Sequence, residues 1–221
     1  NSKFLRLKCL SVHIGSQILD YKPYEKMLKV IQKVINKSKI NFEYIDLGGG
    51  MGIDYEKNKK KLNYAKYSSN IYRFIKKNNS KIIFEPGRSI IADAGYLISS
   101  IIYIKKGDKK DFIIIDAAMN DLIRPALYDA KHQIIPVKKT KIISNKTYEF
   151  VGPICESTDK FSTLKKFQKL KEKDLIVICD VGAYGMSLSS NYNLRPKPME
   201  LLIEKSKAKV IYKRQSLQEL V

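Results

Sequence analysis

Up to about residue 90, short apolar runs alternate with segments whose apolar residues recur at helical spacing, and this alternation constrains the fold more than any other feature. "FLRLKCLSVHIG" reads as a buried strand ending near His13. "PYEKMLKVIQKVINKS" puts Pro23 near a first helical position and sets Tyr24, Met27, Leu28, Ile31, Val34 and Ile35 at helical spacing. "FEYIDLGGGMGI" is a strand running into a glycine loop, residues 64–77 read as a helix, and "KIIFEPGRS" is a strand stopped by Pro86 and Gly87. Strand, helix, strand, helix, strand is the rhythm of a parallel α/β layer or barrel. The rhythm then changes. "GYLISSIIYIKKGDKKDFIIIDAAMN" predicts two strands joined by a Gly-Asp turn, and "KTYEFVGPIC", "DLIVICDVGAYG" and "AKVIYKR" predict more strands with few helices between them. The expected organisation is an α/β part over residues 1–91 and a mostly antiparallel β-rich part over 92–221, its last segment packing back on the first.

Composition narrows the function. At 221 residues and 44% hydrophobic the chain can bury a real core. It contains no apolar run of the roughly 18 residues a membrane span needs, and no signal-peptide pattern at its start. The formal charge of +20 suggests nucleic acid, but only 6 of the 42 basic residues are Arg and the Lys are dispersed. Lys, Ile, Asn and Tyr abound and Trp is absent, a bias that AT-rich codons explain. Cys9, Cys155 and Cys179 are far apart, and His13 and His132 are the only histidines, so no metal site and reduced thiols in a cytoplasmic protein are expected.

Several motifs carry chemistry. The glycines of "DLGGGMGID" leave backbone N–H groups open to an anion such as a phosphate, or simply make a flexible turn. "FEPGRS" puts Glu85 at a strand end with Gly87 and Arg88 in the next turn, where a barrel has its active face; a surface ion pair is the plainer reading. "SVHIGSQ" sets His13 and Ser16 at the tip of another strand. "RPALYDAKH" spaces Arg124 and Tyr128 on one face of a helix, where Arg can clamp a carboxylate or Tyr can merely pack. "DVGAYGMSLSSNYN" holds Tyr184 between glycines, suited to a ring ligand or to packing. In "VGPICESTDKF" a cysteine, Cys155, is followed at once by Glu156; on its own it could be a buried filler, a redox centre or a proton donor.

"HIGSQ", "DLGGGMGI", "EPGRSI", "RPALYDAKH", "CESTDKF" and "DVGAYGMSLSSNYN" occur in the order found in diaminopimelate decarboxylases, and the chain resembles that family from about residue 5 to 215. The family belongs to the pyridoxal-phosphate enzymes of the alanine racemase-like class. The resemblance implies the C-terminal part of a TIM-type (β/α)8 barrel followed by the β domain. It implies a carboxy-lyase that converts meso-2,6-diaminopimelate to L-lysine and CO2, the last step of lysine biosynthesis. Related ornithine and arginine decarboxylases share the glycine loop and the "EPGR" turn but typically have Asp after the cysteine, so Glu156 and "RPALY" favour the diaminopimelate branch.

The resemblance also implies roles. Gly48, Gly49 and Gly50, with Pro86, Gly87 and Arg88 and help from Ser16, would hold the phosphate of pyridoxal 5'-phosphate. His13 would stack on its ring and Glu85 would pair with its nitrogen. Arg88, Arg124 and Tyr128 would bind substrate, Glu156 its distal amino end, and Tyr184 both cofactor and substrate. Cys155 would give the proton. Cys155 and Glu156 would reach the active site of a partner subunit, making a homodimer with shared sites. These types suit the chemistry. Decarboxylation leaves a carbanion, a protonated pyridine ring spreads its charge, and a carboxylate favours that protonation. A thiol, with an ordinary pKa of ~8.5, is a fitting acid for the final protonation.

The family's cofactor-bearing lysine lies on an early barrel strand, before "HIGSQ", so the chain reads as N-terminally incomplete and is expected to be inactive alone. Lys66 in "NYAKY" lies in a helix-like region after the glycine loop and reads as a false match to that lysine. The competing readings are a decarboxylase of altered substrate, a basic nucleic-acid-binding protein and an inactive relative.

Overall fold

The computed structural model describes residues 3–220. The chain divides into two compact units, Asn1–Ala92 and Asp93–Val221.

The first unit is a layer of three parallel strands, β1 (Cys9–Ser11), β2 (Tyr44–Asp46) and β3 (Lys81–Ile83), in that spatial order. Parallel neighbours need crossover connections, and two helices supply them: α1 (Lys22–Ser38) and α2 (Tyr64–Asn78). Helix α1 has Pro23 in its first turn, where the missing N–H costs nothing, and ends at Lys39, whose left-handed φ of 56° lets its N–H reach the Ile35 carbonyl at 3.2 Å. Helix α2 starts where the Asn63 side chain accepts the Lys66 N–H at 3.0 Å. Tyr24, Met27, Leu28 and Ile31 of α1 and Tyr67, Ile71 and Phe74 of α2 are buried together with Ile45 and Leu47. The Tyr24 and Tyr67 rings meet edge-on, 4.8 Å apart, and join the helices. A short helix, α3 (Arg88–Ile91), closes the unit.

Two expectations change here. "FLRLKCLSVHIG" is not a buried strand: only Cys9–Ser11 pair, and Phe4 and Leu5 are 95% and 81% exposed. Among the described residues β1 pairs with β2, over the three positions Cys9–Ser11. Val34 is 43% exposed, while Ile35, the next residue of α1, packs against the core.

The second unit is a six-stranded sheet of β4 (Tyr96–Lys105), β5 (Lys110–Ile115), β6 (Ile134–Pro136), β7 (Thr147–Val151), β8 (Lys160–Leu164) and β9 (Leu175–Cys179), in the order β6-β9-β4-β5-β7-β8. All its pairings are antiparallel except β5 with β7. Strands β4 and β5 form the hairpin expected around the Gly-Asp turn. Ile101, Ile113, Ile115, Phe150, Ile176 and Ile178 are at most 1% exposed and make its core. Strands β6 and β8 are short outer strands that no long apolar run announces. A further strand, β10 (Glu200–Glu204), pairs with β11 (Lys207–Tyr212) as a separate antiparallel hairpin, both largely exposed. Among the described residues of this unit the one α-helix, α4 (Arg124–Tyr128), is barely more than a turn. No helix of the described residues is long and apolar enough to cross a membrane.

Candidate active site

The residues singled out in the sequence fall into two sets, one in each unit. In the first, the glycine loop after β2 is the hub. Gly48 and Gly50 have φ of +64° and +87°, conformations that suit glycine. At Gly49 the constraint is space: a Cβ there would lie 2.1 Å from the Glu85 carbonyl oxygen. The backbone beyond β3 therefore comes hard against the loop, and the Glu85 N–H donates to the Gly48 carbonyl at 2.8 Å. Glu85 lies past the end of β3, held by this bond rather than by the strand. On the other flank, the Gly49 N–H donates to His13 Nδ1 at 3.3 Å, so the proton of a neutral His13 sits on Nε2. The Ile18 N–H donates to the Gly50 carbonyl at 2.9 Å and fixes the segment that carries Ser16. His13, Ser16, Glu85, Pro86 and Gly87 are exposed around a loop whose Gly48 and Gly49 are buried.

Two of the three loop N–H groups are engaged inside the fold, Gly49 on His13 and Gly48 on Asp46 Oδ1 at 2.8 Å. The Gly50 N–H donates to none of the described residues. Tyr24, read from the sequence only as core, donates its hydroxyl to the Gly49 carbonyl at 3.1 Å, and burial pushes its phenol well above the ordinary range. Lys66 lies on α2 with its ammonium 5.2 Å from the Tyr21 ring centre.

In the second unit Cys155 and Glu156 are exposed on the loop between β7 and β8. Asp159 closes that loop. Its buried carboxylate accepts the Ile154 N–H at 2.9 Å and the Met119 N–H at 2.7 Å, and its carbonyl accepts the Gly152 N–H at 2.9 Å. A Cβ on Gly152 would lie 2.2 Å from the Asp159 carboxylate, which explains the glycine. Burial pushes the Asp159 carboxyl up despite those amides. The Tyr192 hydroxyl donates to Glu156 Oε2 at 3.4 Å.

The Met119–Asp121 turn ties this loop to others. Asn120 is 1% exposed, exchanges hydrogen bonds with Ser190 and accepts from Arg195 Nε at 2.9 Å. It leads into α4, where Arg124 and Tyr128 part company: Arg124 is 6% exposed and Tyr128 65%. The two stand at i and i+4 of the helix, as expected, but differ in burial, and the Arg124 guanidinium lies 2.9 Å from His132 Nε2. Tyr184 is exposed, with a φ of +61°, on the segment after β9. Among the described residues no three His, Cys, Asp or Glu side chains cluster as a metal site would require.

Sequence reasoning passed over Tyr24, Asn120, His132, Asp159, Tyr192 and Arg195. His132, Asp159 and Tyr192 were within reach, for they stand inside the same short motifs as Arg124, Cys155 and Tyr184. Asn120 and Arg195 carry no local signal, because their bond spans 75 positions.

A parallel-strand unit built on a glycine loop and a sheet unit that presents a thiol beside a carboxylate together match a known class. Residues 18–182 correspond to the family described as pyridoxal-dependent decarboxylase, C-terminal sheet domain, and the chain belongs to that family. Within it the chain is similar to diaminopimelate decarboxylases. It is 41% identical to the enzyme of Helicobacter pylori over 99% of its own length and 55% of the relative's. A crystal structure of Helicobacter pylori diaminopimelate decarboxylase with L-lysine superposes with a TM-score of 0.86 at 42% identity, covering 99% of this chain and 55% of that one. The M. jannaschii enzyme, also with L-lysine, gives 0.88 at 34% identity over 95% of this chain and 50% of that one. The chain thus spans about half the length of the relatives it matches.

Proposed function

We propose that the protein carrying this chain is a diaminopimelate decarboxylase, which releases CO2 from meso-2,6-diaminopimelate to give L-lysine. The observation that carries the reading is the join at the glycine loop, where one short turn bonds to His13 on one side and to Glu85 on the other. That is the pairing a pyridine cofactor needs: an aromatic face and a carboxylate, beside backbone N–H groups for its phosphate. The first unit reads as the C-terminal part of a (β/α)8 barrel and the second as the β domain that follows it; the family match runs across both, over residues 18–182.

The residues fit pyridoxal 5'-phosphate. The exposed His13 and Glu85 share a loop whose glycines keep side chains out of the way. When bound, the cofactor would supply an electron-withdrawing ring that stabilises the charge left by departing CO2. The N–H groups of Gly50, Gly87 and Arg88, with Ser16, would hold its phosphate on the Gly48–Gly50 and Pro86–Arg88 turns. His13 would lie against the ring, and Glu85 would keep a proton on the ring nitrogen. Arg124, Arg88 and Tyr128 would bind the substrate carboxylate retained in the product, Glu156 the ammonium beside it, and Tyr184 would border cofactor and substrate. Cys155 would hand its thiol proton to the α-carbon. We further infer a cytoplasmic homodimer in which Cys155 and Glu156 serve the partner's site.

The test is decarboxylation by the complete polypeptide with added cofactor, offered diaminopimelate, ornithine and arginine separately. Preferential CO2 release from diaminopimelate is expected. A preference for ornithine or arginine would move the protein to the related branch, and retention on DNA without any decarboxylation would favour the basic-binder reading.

A further inference from the structure

The cluster behind α4 contains a histidine that the proposed mechanism does not use. His132 is 4% exposed and lies between two elements. One ring nitrogen, Nε2, is 2.9 Å from an Arg124 guanidinium nitrogen, and the other, Nδ1, is 2.8 Å from the Cys179 carbonyl at the end of β9. These contacts determine the tautomer. Arginine has donors only, so Nε2 must offer a lone pair. The ring proton then sits on Nδ1, where the Cys179 carbonyl accepts it.

We propose that His132 is the positioning residue for Arg124, a neutral imidazole anchored to the end of β9 that orients the guanidinium toward the substrate's carboxylate. This rests on the reading of Arg124 as a substrate-binding residue. Arg124 starts a helix of barely one turn, whose backbone alone leaves a long side chain many rotamers. A hydrogen bond donated to a fixed imidazole selects among them and so sets the plane of the guanidinium. The anchor also joins two parts of the site. Cys179 is followed by Asp180, at φ +60°, and by the segment carrying Tyr184, so the strand end that fixes His132 also launches the Tyr184 segment.

The surroundings disfavour a charge on His132. Burial lowers its pKa; the Arg124 charge does too, against the opposing pull of the Cys179 carbonyl and Asp180. A protonated ring would turn Nε2 into a donor facing a donor and break the arrangement.

The test uses the complete polypeptide with its cofactor. Replacing His132→Leu removes both bonds, while His132→Gln keeps a donor and an acceptor on one side chain. Losing a hydrogen bond that orients a charged group should raise KM for diaminopimelate, and the inhibition constant of L-lysine with it, by about tenfold or more. The change in kcat should stay within about threefold, because binding common to ground and transition states is what is lost. His132→Gln should recover most of the affinity. Adding His132→Leu to Arg124→Leu should cost little beyond Arg124→Leu alone, since the histidine acts through the arginine. Unchanged KM and L-lysine affinity in His132→Leu, with both lost in Arg124→Leu, would overturn the positioning role and leave the reading of Arg124 standing. Unchanged affinity in Arg124→Leu itself would overturn that reading and the positioning role together. Should His132→Leu fail to fold, nitrogen-15 NMR of the parent decides. A neutral ring protonated on Nδ1 is expected at neutral pH, and the opposite tautomer or a charged ring there refutes the proposal.

Discussion

Cys155 and Gly49 show how differently two of the proposed functional residues are constrained. Cys155 is exposed on a loop whose shape Asp159 maintains, so its side chain contributes little to the fold. Cys155→Ala should shift stability by no more than about 0.5 kcal/mol in thermal unfolding. If the thiol gives the final proton, the same change should lower kcat by about 10²–10⁴. A fall in kcat well short of that range would remove the residue from the proton transfer. Gly49 is the opposite case. Its buried backbone meets the Glu85 carbonyl, and a methyl group there has no flexible neighbour to displace. Gly49→Ala should destabilise the protein by about 1–3 kcal/mol in denaturant titration. It should also weaken cofactor binding, read by equilibrium dialysis, because the glycine loop and Glu85 can no longer close together.

At the scale of elements, the sheet of the second unit is held from both sides of β7. Glu149 on that strand is buried and pairs with Lys110 on β5 and Lys160 on β8. Burial alone would raise the Glu149 carboxyl, but the two ammonium groups outweigh it and hold it below the ordinary range. A depressed folded value means that the unfolded chain takes up the proton first as pH falls. The contribution is therefore complete above the unfolded value of about 4.3 and is lost as pH drops through it toward the folded value. Glu149→Gln should be less stable than the parent by about 1 kcal/mol at neutral pH. The difference between the two should close in acid, and a gap that persists at about pH 2.5 would show that the ion pairs are not its source.

For the whole molecule, the sharpest expectation concerns the dimer. If Cys155 serves the partner's site while Arg88 serves its own, Cys155→Ala and Arg88→Ala subunits should each be inactive as homodimers. Mixed after dissociation, they should recover part of the activity, since one site of the hybrid would contain both intact residues. No recovery, with hybrids demonstrated by native mass spectrometry, would refute the shared site. The charge of +20 belongs to this scale as well. It is spread over 36 lysines and only 6 arginines, the pattern expected of a solvated surface rather than of a base-reading patch, and weak, salt-sensitive retention on DNA is the corresponding expectation.

Local order was legible in the chain where neighbours along the sequence decide it. Helical spacing marked α1 and α2, the Gly-Asp turn marked the β4–β5 hairpin, and the glycine run and "EPGR" turn announced a loop and a strand end, because turn chemistry and periodicity act over a few residues. Tertiary structure alone decided that Gly49 bonds to His13 across 36 positions, that Met119 and Asp159 meet across 40, and that Arg124 turns inward to His132 while Tyr128 faces solvent. It also decided that Phe4 and Leu5, apolar as they are, stand exposed ahead of β1. A sequence fixes which groups can donate, accept or pack. Which of them meet depends on chain crossings and burial, and these exist only once the sheets have formed.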